Sequence, residues 1–319
     1  MNYEISAIIP VYNTDKKLLE NAVQSILNDN VEILIVDDGS RGDVAEYIDT
    51  LESLYQNVVA YHVQNNGVAN ARNYGIRNAN GRYIIFLDSD DTLDNSFFDY
   101  FKSLEDDYDL ISFGFTKINK DKKFEKVYHY DGLISDINVY KKSLCDVDNG
   151  LALCWNKVYR KEFLLENNLF FNEGLVLAED AEFILRVVDK AATIYNIPHS
   201  FYNYIIYKSS SSQTVNLMVS KNYVKSMNYI WNISGYSDKD KAHIVIDHLF
   251  FTIVKYSFKT QKNTKEQIQE LKELLRQDCY IKAFKYINYH DFSLTKKIMI
   301  ILIKTRLFLL LKLCVKVRG

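Results

Sequence analysis

Glycine is scarce in this chain, 11 among 319 residues, and none stands in the turn after the first strand-like segment. A GxGxxG fingerprint, whose glycines let the backbone approach a dinucleotide's pyrophosphate, is therefore absent, and a nicotinamide-type site is not expected. Cysteine is also sparse. Cys145, Cys154, Cys279 and Cys314 form no CxxC pair and have no histidine at zinc spacing, which argues against a zinc site and predicts free thiols in a reducing cytoplasm. Charge of one sign is lacking: the formal net charge is −2 and no long basic tract precedes Asp291, so nothing favours a nucleic-acid partner. The N-terminal Met1-Asn2-Tyr3-Glu4 runs straight into a strand-like Ile5–Ile9, without the basic segment, apolar core and cleavage site of a signal peptide. No window reaches the roughly 18 uninterrupted apolar residues of a spanning helix. The 48% hydrophobic and 14% aromatic content suits one large domain, or a domain with a sizeable appendage.

What the chain does have is a run of apolar residues that ends in acids: Tyr83-Ile84-Ile85-Phe86-Leu87-Asp88-Ser89-Asp90-Asp91. Gathered carboxylates repel one another and lose hydration, and a divalent cation commonly offsets that cost. The same residues also allow an Asp-rich turn, with Asp91 or Asp94 capping a helix that starts near Ser96. Upstream, strand and helix patterns alternate: strand 5–9, helix 16–27, strand 31–36, helix 44–54, strand 58–63, helix 68–78, strand 82–87. Such βαβ units predict an α/β fold with a mostly parallel central sheet and helices on both faces, where ligands sit beyond the C-terminal strand ends. The distinctive residues do follow strands: Pro10-Val11-Tyr12-Asn13, Asp37-Asp38-Gly39-Ser40, and the acidic run itself. Strands are expected at 110–115, 124–130, 193–197 and 201–206, and helices at 161–166 and 181–188. Beyond Ser212 the patterns become long and helical, and a boundary is expected near 209–216, giving a domain over 1–210 and a helical region over 211–319.

With these blocks in order the chain resembles a family 2 glycosyltransferase of the GT-A fold, inverting and with a DxD motif, over roughly residues 4–207. The resemblance is carried by Ser6–Asn13, Ile33–Ser40, Asn66–Gly75, Gly81–Asp91, Trp155-Asn156-Lys157-Val158-Tyr159 and Ala178–Phe183. It implies that Asp88-Ser89-Asp90 is the DxD motif, with Asp88 near the ribose and Asp90 helping to hold Mn²⁺ or Mg²⁺ against the diphosphate of a sugar nucleotide. Pro10, Tyr12 and Asn13 would wall the base. Asp38 would accept a hydrogen bond from it, and since uracil offers an N3–H that cytosine lacks, UDP is the expected carrier. Arg72 would contact the nucleotide, although its residues alone allow an exposed helix arginine paired with an acid. Asp180 would deprotonate the acceptor hydroxyl, with Glu179 beside it on the acceptor side; the pair also reads as acids at a helix N-terminus. Trp155 is either an acceptor platform or a core residue. His199 and Tyr202-Asn203-Tyr204, ahead of Lys208, stand where the family often has a phosphate lid. Lys208 is a possible phosphate contact in place of the arginine often found there, or simply a loop lysine.

The last 28 residues, 292–319, carry Lys296, Lys297, Lys304, Arg306, Lys312, Lys316 and Arg318 and no acid, interspersed with Ile298–Ile303 and Leu307–Leu311. Such a tail suits an in-plane helix on an anionic membrane surface, or a helix buried against its neighbours or a second subunit in a homodimer. A peripheral enzyme on the inner face of the cell membrane would meet polyprenyl-diphosphate-linked acceptors, as in bacterial surface-polysaccharide assembly. Three rival readings exist. A nucleotidyltransferase would normally begin with a glycine-rich basic loop. A receiver-like module would be shorter and would not explain Glu179-Asp180. The third is a non-catalytic nucleotide-binding module of the same fold.

Overall fold

A computed structural model describes residues 3–120, 122–207, 218–258 and 262–318. The chain forms two compact units, Met1–Tyr140 with Asn149–Lys208, and Lys141–Asp148 with Ser209–Gly319. The expected boundary at 209–216 lies outside the described residues. The short segment Lys141–Asp148 groups with the second unit, although the sequence reading had placed it in the first.

The first unit begins with β1 (Ile5–Val11), α1 (Lys16–Gln24), β2 (Val31–Asp37), α2 (Gly42–Leu54), β3 (Val58–His62), α3 (Val68–Asn78) and β4 (Tyr83–Phe86). Every residue of β1, β2 and β4 is buried, so both faces of the sheet are covered, as unbroken apolar runs predict. Asp15 caps α1 by accepting from the Lys17 and Leu18 amides, and the helix ends at Gln24 instead of Leu27. Helix α3 lies close on β1: a Cβ on Gly75 would sit 2.5 Å from Ile8 Cγ2. The chain continues through β5 (Thr92–Leu93), α4 (Ser96–Lys102), β6 (Leu110–Asn119), β7 (Lys122–Lys126), β8 (Gly132–Leu133), α5 (Ile137–Leu144, whose second half groups with the second unit), β9 (Lys157–Arg160), α6 (Lys161–Glu166), α7 (Glu179–Lys190) and β10 (Ile194–Ile205).

The strand order is β3-β2-β1-β4-β9-β6-β10-β5, with β7 on β6 and β8 on β10. Strand β9 is antiparallel to both β4 and β6, while β6 and β10 are parallel. Six long strands therefore point the same way and their C-terminal ends share one edge. Two expectations shift. Strand β10 is continuous where two short strands were expected, with its register slipping between Ile197 and Ser200. Pro198 lies at that slip, having no N–H to give the ladder. Strand β7 ends at Lys126, short of the expected Tyr130.

The second unit is helical: α8 (Met218–Trp231), α9 (Asp238–Thr252), a π-helical turn Ile253–Ser257, α10 (Thr264–Leu274), α11 (Asp278–Tyr286), α12 (Leu294–Lys304) and α13 (Phe308–Arg318). Capping boxes open α9 (Ser237 with Asp240) and α10 (Asn263 with Glu266). No helix among the described residues is long and apolar enough to cross a membrane.

Candidate active site

The acidic run leaves β4 at the shared strand edge, and its three aspartates have different surroundings. Asp88 accepts from Arg72 Nη2 at 3.0 Å, and its amide donates to the Tyr202 hydroxyl at 3.1 Å. Asp91 is buried and caps no helix. Its carboxylate takes the Tyr202 O–H at 2.9 Å and the Ile205 amide at 2.7 Å, pinning the end of β10 to the loop after β4. The cap at Ser96 comes from Asp94. Asp90 alone of the three makes no side-chain hydrogen bond or ion pair among the described residues. Burial, then the charge of Asp88, pushes Asp90 up to about 6. The same two causes push Asp91 up to about 8.

Arg72, on α3, is almost fully buried and reaches across the site. Its Nη1 donates to Asp180 Oδ1 at 2.7 Å and lies 3.5 Å from Glu179 Oε1, while Nη2 holds Asp88. Its Nε is buried without a partner. The guanidinium rests 5.2 Å from the centre of the Phe171 ring. That ring is placed by Asn73, one residue along α3, whose side chain accepts from the Phe171 amide at 2.7 Å and donates to its carbonyl at 2.9 Å. So α3 carries both the arginine and the clamp that sets the aromatic plate beside it.

Glu179 and Asp180 open α7, directly after Ala178, which holds a left-handed φ of 56°. That conformation is costly for alanine and turns the chain so that both acids enter the site. Glu179 is pushed up to about 7, by burial first and by Asp180 second, with Arg72 opposing. Asp180 Oδ2 lies 3.5 Å from the Cys154 amide, and the Cys154 thiol also hydrogen-bonds to the Asp180 carboxylate. The loop carrying Cys154 is fixed by Lys157, fully buried, whose Nζ donates to the Leu153 carbonyl and Asn156 Oδ1, each at 2.8 Å. Burial pushes Lys157 down to about 7.

Glycosyl transferase family 2 is the family whose model matches residues 6–166, just over half of the sequence. The chain belongs to that family. GgaB, a minor teichoic acid biosynthesis protein of Bacillus subtilis, is 27% identical to the transferase over 241 residues, covering 70% of this chain and 25% of GgaB. EpsJ, an uncharacterized glycosyltransferase of the same organism, is 23% identical over 339 residues, covering 99% of this chain and 96% of EpsJ. A poly(ribitol-phosphate) beta-glucosyltransferase of Bacillus spizizenii is 25% identical, covering 88% of this chain and 44% of its own length. The transferase thus spans a quarter of GgaB and under half of the glucosyltransferase. The solved structure of S. aureus TarS 1-349 in complex with UDP-GlcNAc superposes with a TM-score of 0.71 at 17% identity, covering 99% of this chain and 91% of that one. The fold is GT-A.

Asp88, Glu179 and Asp180 converge on Arg72, and the other expected residues are placed as follows. Pro10 is buried within β1, and Tyr12 is exposed beyond its end. Asn13, at φ 53°, accepts from the Arg41 amide, and its own amide donates to Ser40. Ser89 bridges to Thr14 at 2.6 Å. Asp38 uses its two oxygens on the Asn66 and Gly67 amides at 2.8 and 2.9 Å, so as placed it shapes the entry to α3. Arg72 binds carboxylates where a nucleotide contact was expected. Trp155 is buried, stacked on Tyr202 and Tyr204 and met edge-on by Phe115, which is the core alternative to an acceptor platform. Tyr202-Asn203-Tyr204 belong to β10 and form no lid. Lys208 lies outside the described residues. Tyr202, expected near a phosphate lid, instead ties Asp88 to Asp91. Cys154 and Lys157 have no site role in the sequence reading, although the Trp155–Tyr159 block marks their neighbourhood.

No group of three or more His, Cys, Asp or Glu side chains among the described residues is placed to hold a metal by itself. Asp90 fits a different arrangement. A half-buried carboxylate with no side-chain partner suits a cation whose other ligands are phosphate oxygens and water.

Proposed function

We propose that the transferase moves a sugar from a UDP-sugar to a hydroxyl of a glycan or lipid-linked oligosaccharide, with inversion, in the assembly of a bacterial surface polysaccharide. The observation that carries this reading is the convergence of Asp88, Glu179 and Asp180 on the single cation Arg72. Three carboxylates gather on one guanidinium, and Asp90, at about 6, adds negative charge near neutral pH. An anionic diphosphate does not enter such a pocket unaided, which supports a requirement for Mn²⁺ or Mg²⁺ held at Asp90. When bound, the ion stabilises the charge that develops on the departing diphosphate.

The other steps belong to the chain's own side chains. Asp88 faces the donor from the end of β4; burial raises its carboxyl above the usual carboxylate range and the Arg72 guanidinium opposes that rise. Asp180 takes the proton of the acceptor hydroxyl on Oδ2 as that oxygen attacks the anomeric carbon, while Arg72 holds Oδ1 and fixes the plane of the carboxylate. General-base help of this kind contributes about 10²–10⁴-fold. Glu179 lines the acceptor side beside Asp180 and shares the Arg72 guanidinium with it. Lys157, through the Leu153–Asn156 loop, positions the acceptor side. Support for UDP comes from the complexes of TarS with UDP and UDP-GlcNAc, and support for a polysaccharide acceptor from the named roles of GgaB and the poly(ribitol-phosphate) glucosyltransferase.

A thermal-shift series with Mn²⁺ and UDP-, GDP- and dTDP-sugars tests the donor, since a ligand that binds only the folded state raises Tm. A UDP-sugar is expected to give the largest shift, and Asp90→Asn to abolish it. A larger shift with GDP- or dTDP-sugars contradicts the donor assignment.

A further inference from the structure

Within the C-terminal helical unit, the turn between α12 and α13 closes a cleft of about 460 Å³ whose lining contains four cations and no acid. Lys272 and Arg276 contribute from α10 and the turn after it, Lys304 from the end of α12, and Arg306 from the turn. Phe308 and Leu309 form its apolar side. None of the four cations is paired with a carboxylate among the described residues. Lys272 and Lys304 lie instead over the rings of Phe308 and Tyr289, at 5.9 and 5.0 Å. Elsewhere in the unit lysines do find acids: Lys296 holds Asp247 and Asp148 at 2.8 and 3.0 Å, and Lys282 holds Asp278 at 2.7 Å. The cleft thus gathers four cations with no acid in its lining.

The backbone adds to this. Arg306 ends α12 with a left-handed φ of 59°, at the position where glycine usually stops a helix, and the Leu307 amide closes the turn on the Leu302 carbonyl at 2.9 Å. The tail is thus two helices, not the single one expected from its pattern, and the break places a guanidinium at the cleft. On α13, Leu309, Leu310 and Leu313 are 63%, 48% and 58% exposed. On α12, Leu294, Ile298 and Ile301 follow a four-then-three spacing and are exposed as well. Water-facing leucines beside unneutralised cations match a surface that offers both hydrocarbon and phosphate. An isologous contact with a second copy through this cleft would set cations against cations.

We propose that this cleft and its flanking leucines dock the protein on an anionic phospholipid surface. A headgroup phosphate sits among Lys272, Arg276, Lys304 and Arg306, and the leucines of α13 enter the acyl boundary. The proposal does not depend on the donor or acceptor chemistry.

Flotation of the full chain with vesicles of phosphatidylcholine, alone or mixed with phosphatidylglycerol, tests it. Binding is expected only with phosphatidylglycerol, weakening as salt rises and persisting in millimolar inorganic phosphate. Lys304→Glu combined with Arg306→Glu should weaken it by about thirtyfold or more, since each cation near such a surface contributes roughly fivefold. Leu309→Ser with Leu313→Ser should also release the protein. Both variants should keep the wild-type Tm, because all four side chains are exposed. Equal binding by the variants, equal binding to neutral vesicles, no binding by the wild type, or a dimer that the charge reversals dissociate would each overturn the proposal.

Discussion

Arg72 ties Asp88 to the Glu179-Asp180 pair, since Nη2 binds Asp88 and Nη1 binds Asp180 and approaches Glu179. Arg72→Met would leave those buried carboxylates without a counter-charge, a loss of about 3–5 kcal/mol for a broken buried pair. A fall in Tm on the order of 10 °C is expected by calorimetry, together with loss of transfer. Arg72→Lys should recover part of the stability, because one ammonium can satisfy Asp180 or Asp88 but not span both. The rate should rise with pH on its acid limb. Glu179 and Asp90, pushed up to about 7 and about 6, must both lose their protons before the pocket carries its full negative charge and, on the proposed reading, before Asp90 can hold a cation. Glu179→Gln should move that limb down toward pH 6 in a profile of kcat/KM. The aspartates and the Glu-Asp pair were legible in the sequence because they follow strands or open a helix. Their meeting at Arg72 was not, since it joins residues about a hundred positions apart and only chain closure brings them together. Trp155 shows the converse: an aromatic residue in a motif reads the same whether its ring faces a sugar or Tyr202.

At the level of elements, two backbone positions hold the site in place. Gly81, before β4, lies so close to β1 that a Cβ would meet the Ser6 amide nitrogen at 2.5 Å. Backbone yields less than a side-chain tip, so Gly81→Ala should cost at least ~1–3 kcal/mol of overpacking and lower Tm, with urea unfolding giving the size. Ala178 presents the opposite case. Its left-handed φ suits glycine, so Ala178→Gly should be neutral or stabilising by ~0.5–1 kcal/mol while activity is kept. Neither effect is visible in sequence, where both residues read as ordinary loop. The strands were legible for a physical reason. Buried on both faces, β1, β2 and β4 are continuous apolar runs, whereas β10 contains Pro198 and His199 and so reads as two pieces.

For the whole molecule, the pH dependence of stability reports on the crowded carboxylates. Asp91 and Glu179 have folded values raised above their unfolded ones, so the folded state binds more protons, and stability is lost as pH rises through about 7 and about 8. His243 and His248 are pushed down by burial and act in the opposite sense only below about 6.5. Lys157, pushed down to about 7, gains stability as pH rises above that value and offsets Asp91 there. The ligand-free protein should therefore lose Tm from pH 6.5 to about 7, with the loss levelling off toward pH 8. Asp91→Asn should flatten that slope, and Mn²⁺ with UDP should do the same. The division into two units was legible in part: the switch to helical patterns marked the second, but Lys141–Asp148 joins it through tertiary contacts, including the ion pair of Lys296 with Asp148, that no local pattern announces. The most direct test of the account is acceptor-dependent release of UDP from a UDP-sugar by wild type and by Asp180→Asn, at saturating Mn²⁺ and with donor binding confirmed in both. The account predicts a loss of about 10²–10⁴-fold in kcat with the donor Kd nearly unchanged. A variant that transfers sugar at the wild-type rate would contradict it.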